Sequence, residues 1–136
     1  MSELKELAAE AKHELLTHII PFWRGMRDDK FGGYYGYLSY DLALDEKAEK
    51  GCILNSRITW FFANAYLLYK DGGISEEECE AAGFKGEDLL AEAKHGYEFL
   101  REHCIDKEYG GIFWSLNYDG TPLDTTKHTY LSLIHI

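Results

Sequence analysis

Apolar residues recur at helical spacing from the start of the chain. Leu4, Leu7, Ala8, Ala11, Leu15 and Ile19 form one stripe, with Lys5, Glu6, Glu10, Lys12 and Glu14 turned away from it. The pattern predicts a half-wet helix from Ser2, a capping residue, to about Ile20, where Pro21 would end it by removing a backbone donor. From Lys50 to Lys70 the pattern changes: Trp60, Phe61, Phe62, Tyr66, Leu67, Leu68 and Tyr69 cover almost every face of one helical run. A helix apolar all round is a buried helix, and Asn55 and Ser56 stand near its start as capping candidates. Ser75 followed by Glu76, Glu77 and Glu78 predicts a further helix start, with the carboxylates where the helix dipole favours them. Leu89, Leu90, Ala93, Tyr97, Leu100 and Cys104 predict an amphipathic helix from about Glu87 to His103. Between the first two helices, the aromatic-rich stretch Phe31 to Asp41 reads as a short strand, and Leu42 to Ala48 as a turn and return strand.

The segment Asp28 to Asp41 recurs at Asp106 to Asp119 in the frame D-x-x-[FY]-G-G-x-[YF]-x-x-L-x-Y-D, and a lysine follows each copy, Lys50 and Lys127. This is an internal repeat. Each unit is a half-wet helix, a strand hairpin and then a helix apolar all round. Half-wet helices alternating with dry ones describe two concentric rings, outer over inner, with the hairpins and loops at one mouth. Such units bury their faces only against neighbours.

Composition narrows the class of partner. The 136 residues carry 24 acidic against 14 basic side chains, a formal net charge of −10, which argues against a nucleic-acid or anionic-membrane partner. Ten Tyr, seven Phe and three Trp suit a carbohydrate site and equally an aromatic core. Cys52, Cys79 and Cys104 have no metal or disulfide spacing, no apolar run reaches membrane-spanning length, and a reducing cytoplasm is the expected compartment. His13 and His18 read as surface or boundary residues, and a solvated face explains His95 and His103 better than catalysis does. Arg57 is the exception to the dry helix. A guanidinium there needs a partner carboxylate or a pocket whose polar ligand supplies acceptors, and both readings stay open at this point.

The strings F-W-x4-D-x2-F-G-G-Y-Y-G, K-G-x-I-L-N-S-R-I-x-W and G-G-I-F-W-x4-D-G-x-P-x-D-x2-K-H-x-Y run in order from Phe22 to Tyr130. Together they resemble the N-terminal third of the cellobiose 2-epimerases, within the N-acylglucosamine 2-epimerase superfamily. The I-L-N-S-R form resembles the cellobiose-type enzymes rather than the Gln-Gly-Arg form usual in the N-acylglucosamine enzymes; an N-acylglucosamine 2-epimerase and the mannose and sulfoquinovose isomerases of the superfamily remain alternatives. The resemblance implies a mainly α fold, an (α/α)6 barrel of which residues 1–130 would be about the first third, with short β-hairpins between helices. It also implies proton removal from C2 of a ring-opened sugar by one histidine, a cis-enediolate, and proton return by a second histidine. The aldehyde itself delocalises the charge, so neither metal nor other cofactor is expected. By the same resemblance, Arg57 would contact the sugar oxygens near C1 and C2 and stabilise the enediolate. Tyr130 would offer a hydroxyl contact at the same mouth. Trp60, three residues past Arg57 on the helix, would line the pocket or simply pack.

The paired catalytic histidines of the resembled enzymes lie in later repeats. None of His13, His18, His95, His103, His128 or His135 matches them, so no catalytic residue is assigned in this chain. Its expected partner is a disaccharide with a glucose reducing end. A non-catalytic glycan-binding module and an all-helical interaction protein are the readings of other classes. Leu131 to Ile136, Leu-Ser-Leu-Ile-His-Ile, depart from the pattern and are what CTGTCTCTTATACACATC, the end of a transposase-made sequencing adapter, encodes in this frame. They are therefore expected to be a non-native read-through tail on a chain cut near the start of an inner helix.

Overall fold

A computed structural model of the chain describes residues 2–129. Tyr130 and the tail at 131–136, with the reading that the tail is non-native, lie outside the described residues.

The first helix does not stop at Pro21. Helix α1 (Ser2–Glu14) passes into a π-helical turn (Leu15–Ile19) and on into α2 (Ile20–Gly25) without leaving helical backbone. Just ahead of Pro21 the register widens, and the Ile20 N–H reaches back to the Leu15 carbonyl. Proline has no N–H to give and its ring would collide with the carbonyl four residues earlier; a π turn carries the chain past it. The wider turn also rotates the buried face. Leu16 and Ile20 enter the core, while the stripe predicted from Leu4 to Ile19 leaves Leu4, Leu7 and Ile19 exposed, and α1 buries no residue.

Helix α3 (Cys52–Lys70) starts earlier than Asn55 and Ser56 would set it. Gly51 stands at its cap in extended backbone, in a short strand β1 (Lys50–Gly51). The first free amide of the helix, Cys52 N–H, is taken by the Trp114 carbonyl at 3.1 Å. Asn55 and Ser56 are interior residues: the Ser56 hydroxyl donates to the Cys52 carbonyl at 2.8 Å, and Asn55 serves a loop described below. Helix α4 (Glu76–Ala81) has the expected start, with Ser75 accepting from Glu78 N–H and Glu78 accepting from Ser75 N–H, a reciprocal capping box. Helix α5 (Gly86–Phe99) ends in a second π turn (Leu100–Cys104).

The strand prediction is corrected in place. Residues 31–48 hold only isolated bridges, Arg27 to Tyr34 and Leu38 to Leu44. The sheet lies elsewhere: β1, β2 (Ser115–Leu116) and β3 (Pro122–Asp124) form one antiparallel sheet in that order, with Lys50 opposite Leu116 and Gly51 opposite Ser115. The repeat is nevertheless visible, because Leu38 and Leu116 occupy the same frame position and each begins a hairpin, to Leu44 and to Pro122. Strand β1 thereby stitches the end of the first unit to the hairpin of the second.

Helices α3 and α5 form the principal helix contact. They approach closely at Gly96, where a Cβ would stand 2.1 Å from Thr59 Oγ1. One core cluster joins Leu16 and Ile20 to Ile58, Phe62, Cys79, Leu89 and Ala93; a second joins Cys52, Phe99, Leu100, Cys104, Ile112 and Leu116. Between α2 and α5 lies a buried acid, Glu92, facing Arg24 at 3.4 Å, Arg27 at 3.3 Å and the Tyr34 hydroxyl at 3.0 Å. Burial, then the Glu92 charge, pushes the Tyr34 phenol up, so it stays a donor. Leu16 and Ile20 of the first helical run and Leu89 and Ala93 of α5 thus share one core with α3.

Candidate functional site

The repeated motif builds one loop twice. In the first copy Asp28 Oδ1 accepts from Lys30 N–H at 2.9 Å and Phe31 N–H at 3.0 Å, while Oδ2 meets Lys50 Nζ at 2.6 Å. In the second, Asp106 Oδ1 accepts from Glu108 N–H at 2.9 Å and Tyr109 N–H at 3.1 Å, and Oδ2 meets Lys127 Nζ at 2.5 Å. Backbone bonds agree as well: Asp28 N–H to Gly33 and Asp106 N–H to Gly111, with Gly32 and Gly110 returning to the aspartate carbonyls. Both glycines of each pair have positive φ, 83° and 67° in the first loop and 76° and 81° in the second, which is why the motif demands Gly-Gly. The motif aspartates and the lysines that follow are therefore one device, an ion pair closing the loop between a flanking helix and the next one.

The first pair is out of water, with Lys50 0% and Asp28 1% exposed; the second is more open. Burial pushes the Asp28 carboxyl up, but Lys50 and the Phe31 and Lys30 amides outweigh it and hold it below the usual carboxylate range. Lys127, ahead of the Tyr109 and Glu108 amides, does the same for Asp106. Lys50 also donates to the Gly32 carbonyl at 2.8 Å. Asn55, fully buried, accepts the Tyr34 N–H at 2.8 Å on Oδ1 and donates from Nδ2 to the Gly51 carbonyl at 3.1 Å. Thus the Asn of I-L-N-S-R holds the Gly-Gly loop against the first turns of α3.

Arg57 follows two residues later and is exposed. Among the described residues it has no carboxylate partner, so the ion-pair reading finds no support there. Helix α3 is also not dry all round. Arg57, Trp60, Asn64, Leu67 and Leu68 are all exposed, at spacings of three and four that put them on one uncovered stripe. Trp60 is 68% exposed and lines a cavity of about 250 Å³ with Thr59, Ala63, Tyr97 and Arg101. Arg57 does not line that cavity, so the two predicted residues share a stripe but not this cavity. Tyr130 lies outside the described residues.

Two of the histidines, His95 and His103, are more engaged than predicted. His13 and His18 are exposed, His18 beside Glu14 at 3.0 Å. His95, read as solvated, is half-buried with a ring nitrogen 2.9 Å from the Gly33 carbonyl. His103 is likewise half-buried against Phe99. The three cysteines are free and buried; Cys52, then burial, pushes the Cys104 thiol up, which favours the thiol over the thiolate. No group of His, Cys, Asp or Glu able to hold a metal occurs among the described residues, and no helix among them is long and apolar enough to cross a membrane.

The repeat sets the first Gly-Gly loop and the hairpin of the second unit against the start of α3. Residues 33–134 match the family described as N-acylglucosamine 2-epimerase (GlcNAc 2-epimerase). The chain belongs to this family. It is 50% identical over 124 residues to the cellobiose 2-epimerase of Ruminococcus albus, covering 91% of this chain and 28% of that protein. The structure of a sugar epimerase from a ruminal bacterium superposes with a TM-score of 0.78 at 50% identity, over 92% of this chain and 28% of the other. The cellobiose 2-epimerase of Bacillus thermoamylovorans superposes at 0.82 with 37% identity, over 96% and 30%. The chain therefore spans little more than a quarter of the length of the relatives it matches.

Proposed function

We propose that the chain is the N-terminal portion of a carbohydrate 2-epimerase that interconverts glucose- and mannose-type reducing ends of a disaccharide, cellobiose or a close analogue. The observation that carries this is Arg57: a guanidinium on the uncovered stripe of α3, two residues past the Asn55 that ties the helix to the Gly-Gly loop and without a carboxylate partner among the described residues, in a chain 50% identical to a cellobiose 2-epimerase. A fixed cationic donor suits the oxygen that gains charge when a proton leaves the carbon beside an aldehyde. Trp60 on the same stripe offers a flat apolar face to a sugar ring.

On this reading the stripe of α3 faces the interior of an (α/α)6 barrel completed by later repeats. Those repeats supply the two histidines that remove and return the C2 proton through a cis-enediolate. Residues 1–130 are then barrel, and Leu131 to Ile136 have no part in it. The test is epimerisation in D2O by the longer protein, with deuterium expected at C2 of the product. Product without label at C2 would rule out exchange through histidine. The 136-residue chain alone is expected to be inactive, and turnover by it would overturn the assignment of the acid–base pair to later repeats.

A further inference from the structure

The Asp28–Lys50 pair is poorly explained as a source of stability. Bringing both charges out of water costs about as much as their attraction returns, and apolar residues of the same size do as well. What a buried pair does secure is one geometry, and this one is sited to matter. Lys50 stands two residues ahead of α3 and is bonded both to Asp28 and to the Gly32 carbonyl. Asn55 ties the next turn to the same loop through Tyr34 N–H and Gly51. A Cβ on Gly33 would stand 2.7 Å from Asn55 Oδ1, so loop and helix are in full contact there. Arg57 is the first exposed residue of the helix beyond these anchors. The same clamp recurs at Asp106 and Lys127, three residues before Tyr130 in sequence.

We infer that Asp28 and Lys50, with Asn55, are positioning residues that fix the start of α3 so that Arg57 is presented to the sugar oxygens in one orientation. This rests on the reading of Arg57 as a sugar contact. A long side chain on a loosely seated helix would reach the same oxygens with errors of an ångström, enough to cost about a hundredfold in rate. Two anchors within the seven residues before Arg57 remove that freedom at the backbone.

The test uses Asp28→Asn with Lys50→Met. The amide keeps an oxygen for the Lys30 and Phe31 N–H groups, Met fills the lysine stem, and neither charge is left buried alone. In the 136-residue chain, deuterium exchange of backbone amides over residues 51–58 is expected to rise by about tenfold or more, while residues 62–70 are unchanged. Unchanged exchange at 51–58 would overturn the clamp. In the longer protein the double variant is expected to keep a near-parental Tm while kcat/KM falls on the order of tenfold to a hundredfold. In an Arg57→Ala background the same two changes are expected to add less than about twofold, since coupled residues are not additive. An equal loss in both backgrounds would show that the pair acts elsewhere and overturn the inference. Should the double variant fail to fold, Asn55→Ala attacks the same anchoring and is read by the same two measurements. A longer protein without epimerase activity would remove Arg57's role and with it the positioning claim, whereas the exchange measurement would still report the clamp, so the two failures are told apart.

Discussion

Arg57 and Asp28 illustrate two kinds of charged residue in one short stretch. Arg57 is exposed and makes no ion pair among the described residues, so replacing it should cost little stability. Arg57→Lys keeps the charge but loses the planar fork that holds two oxygens at once. In the longer protein kcat/KM is expected to fall by about a hundredfold or more, with Tm essentially unchanged; a clear drop in Tm with near-normal kinetics would mean the residue is structural. Asp28 is the opposite case. Its carboxyl is held below the usual range in the folded chain, so the unfolded chain binds the proton more readily. Its contribution is therefore fully present above about pH 4, the unfolded value, and is lost as pH falls through the lower folded value. Urea midpoints measured from pH 6 to pH 2.5 are expected to fall more steeply for the parent chain than for Asp28→Asn. Arg57 stands out in sequence because a charge on an apolar helix is conspicuous. Asp28, Lys50 and Asn55 were legible only as repeated or motif letters, because a salt bridge between residues so far apart leaves no local period. The signal that could have found the pair was the lysine trailing each copy of the repeat.

At the scale of elements, periodicity placed the helices and misjudged their faces. The α4 capping box and the extent of α5 follow directly from local chemistry. The passage through Pro21 does not, because a π turn is a register change that hydrophobic spacing cannot announce. The predicted hairpin at 31–48 shrank to single bridges, while its counterpart at Ser115–Asp124 formed a true ladder by pairing with β1. That second hairpin gained a third strand, which the first lacks. Glycines test the helix packing with one substitution of opposite sign. At Gly25, where nothing lies within 4 Å of an added Cβ, Gly25→Ala is expected to stabilise by about 0.4–1 kcal/mol through the unfolded state. At Gly96 the helix-propensity gain of about 1 kcal/mol meets Thr59 Oγ1 at 2.1 Å and Tyr34 at 3.3 Å. Thr59 is itself bonded to the Asn55 carbonyl at 2.8 Å, so yielding is costly. Overpacking of about 1–3 kcal/mol should win, and Gly96→Ala should lower Tm. Thermal melts of the two variants side by side check both signs.

Part of the uncovered apolar surface is aligned along helices rather than spread over loops. Leu4 and Leu7 lie on α1, and Trp60, Leu67 and Leu68 on the stripe of α3 that carries Arg57. Aligned exposed apolar residues of this kind mark surfaces that another element covers. Leu67 separates the two accounts of that stripe. In the 136-residue chain it is already 57% exposed, so Leu67→Ala gives up little burial and should change stability by no more than about 0.5 kcal/mol. If later repeats close over α3 in the longer protein, the same substitution opens a cavity in a packed interior and should cost about 2–5 kcal/mol. The chain alone is also expected to enhance the fluorescence of a hydrophobic dye and to sediment as a concentration-dependent mixture, and the longer protein to do neither. Urea unfolding of parent and Leu67→Ala in both lengths decides the matter. Equal small effects in the two lengths would mean that the stripe stays open to solvent, and with it that Arg57 does not face a closed interior.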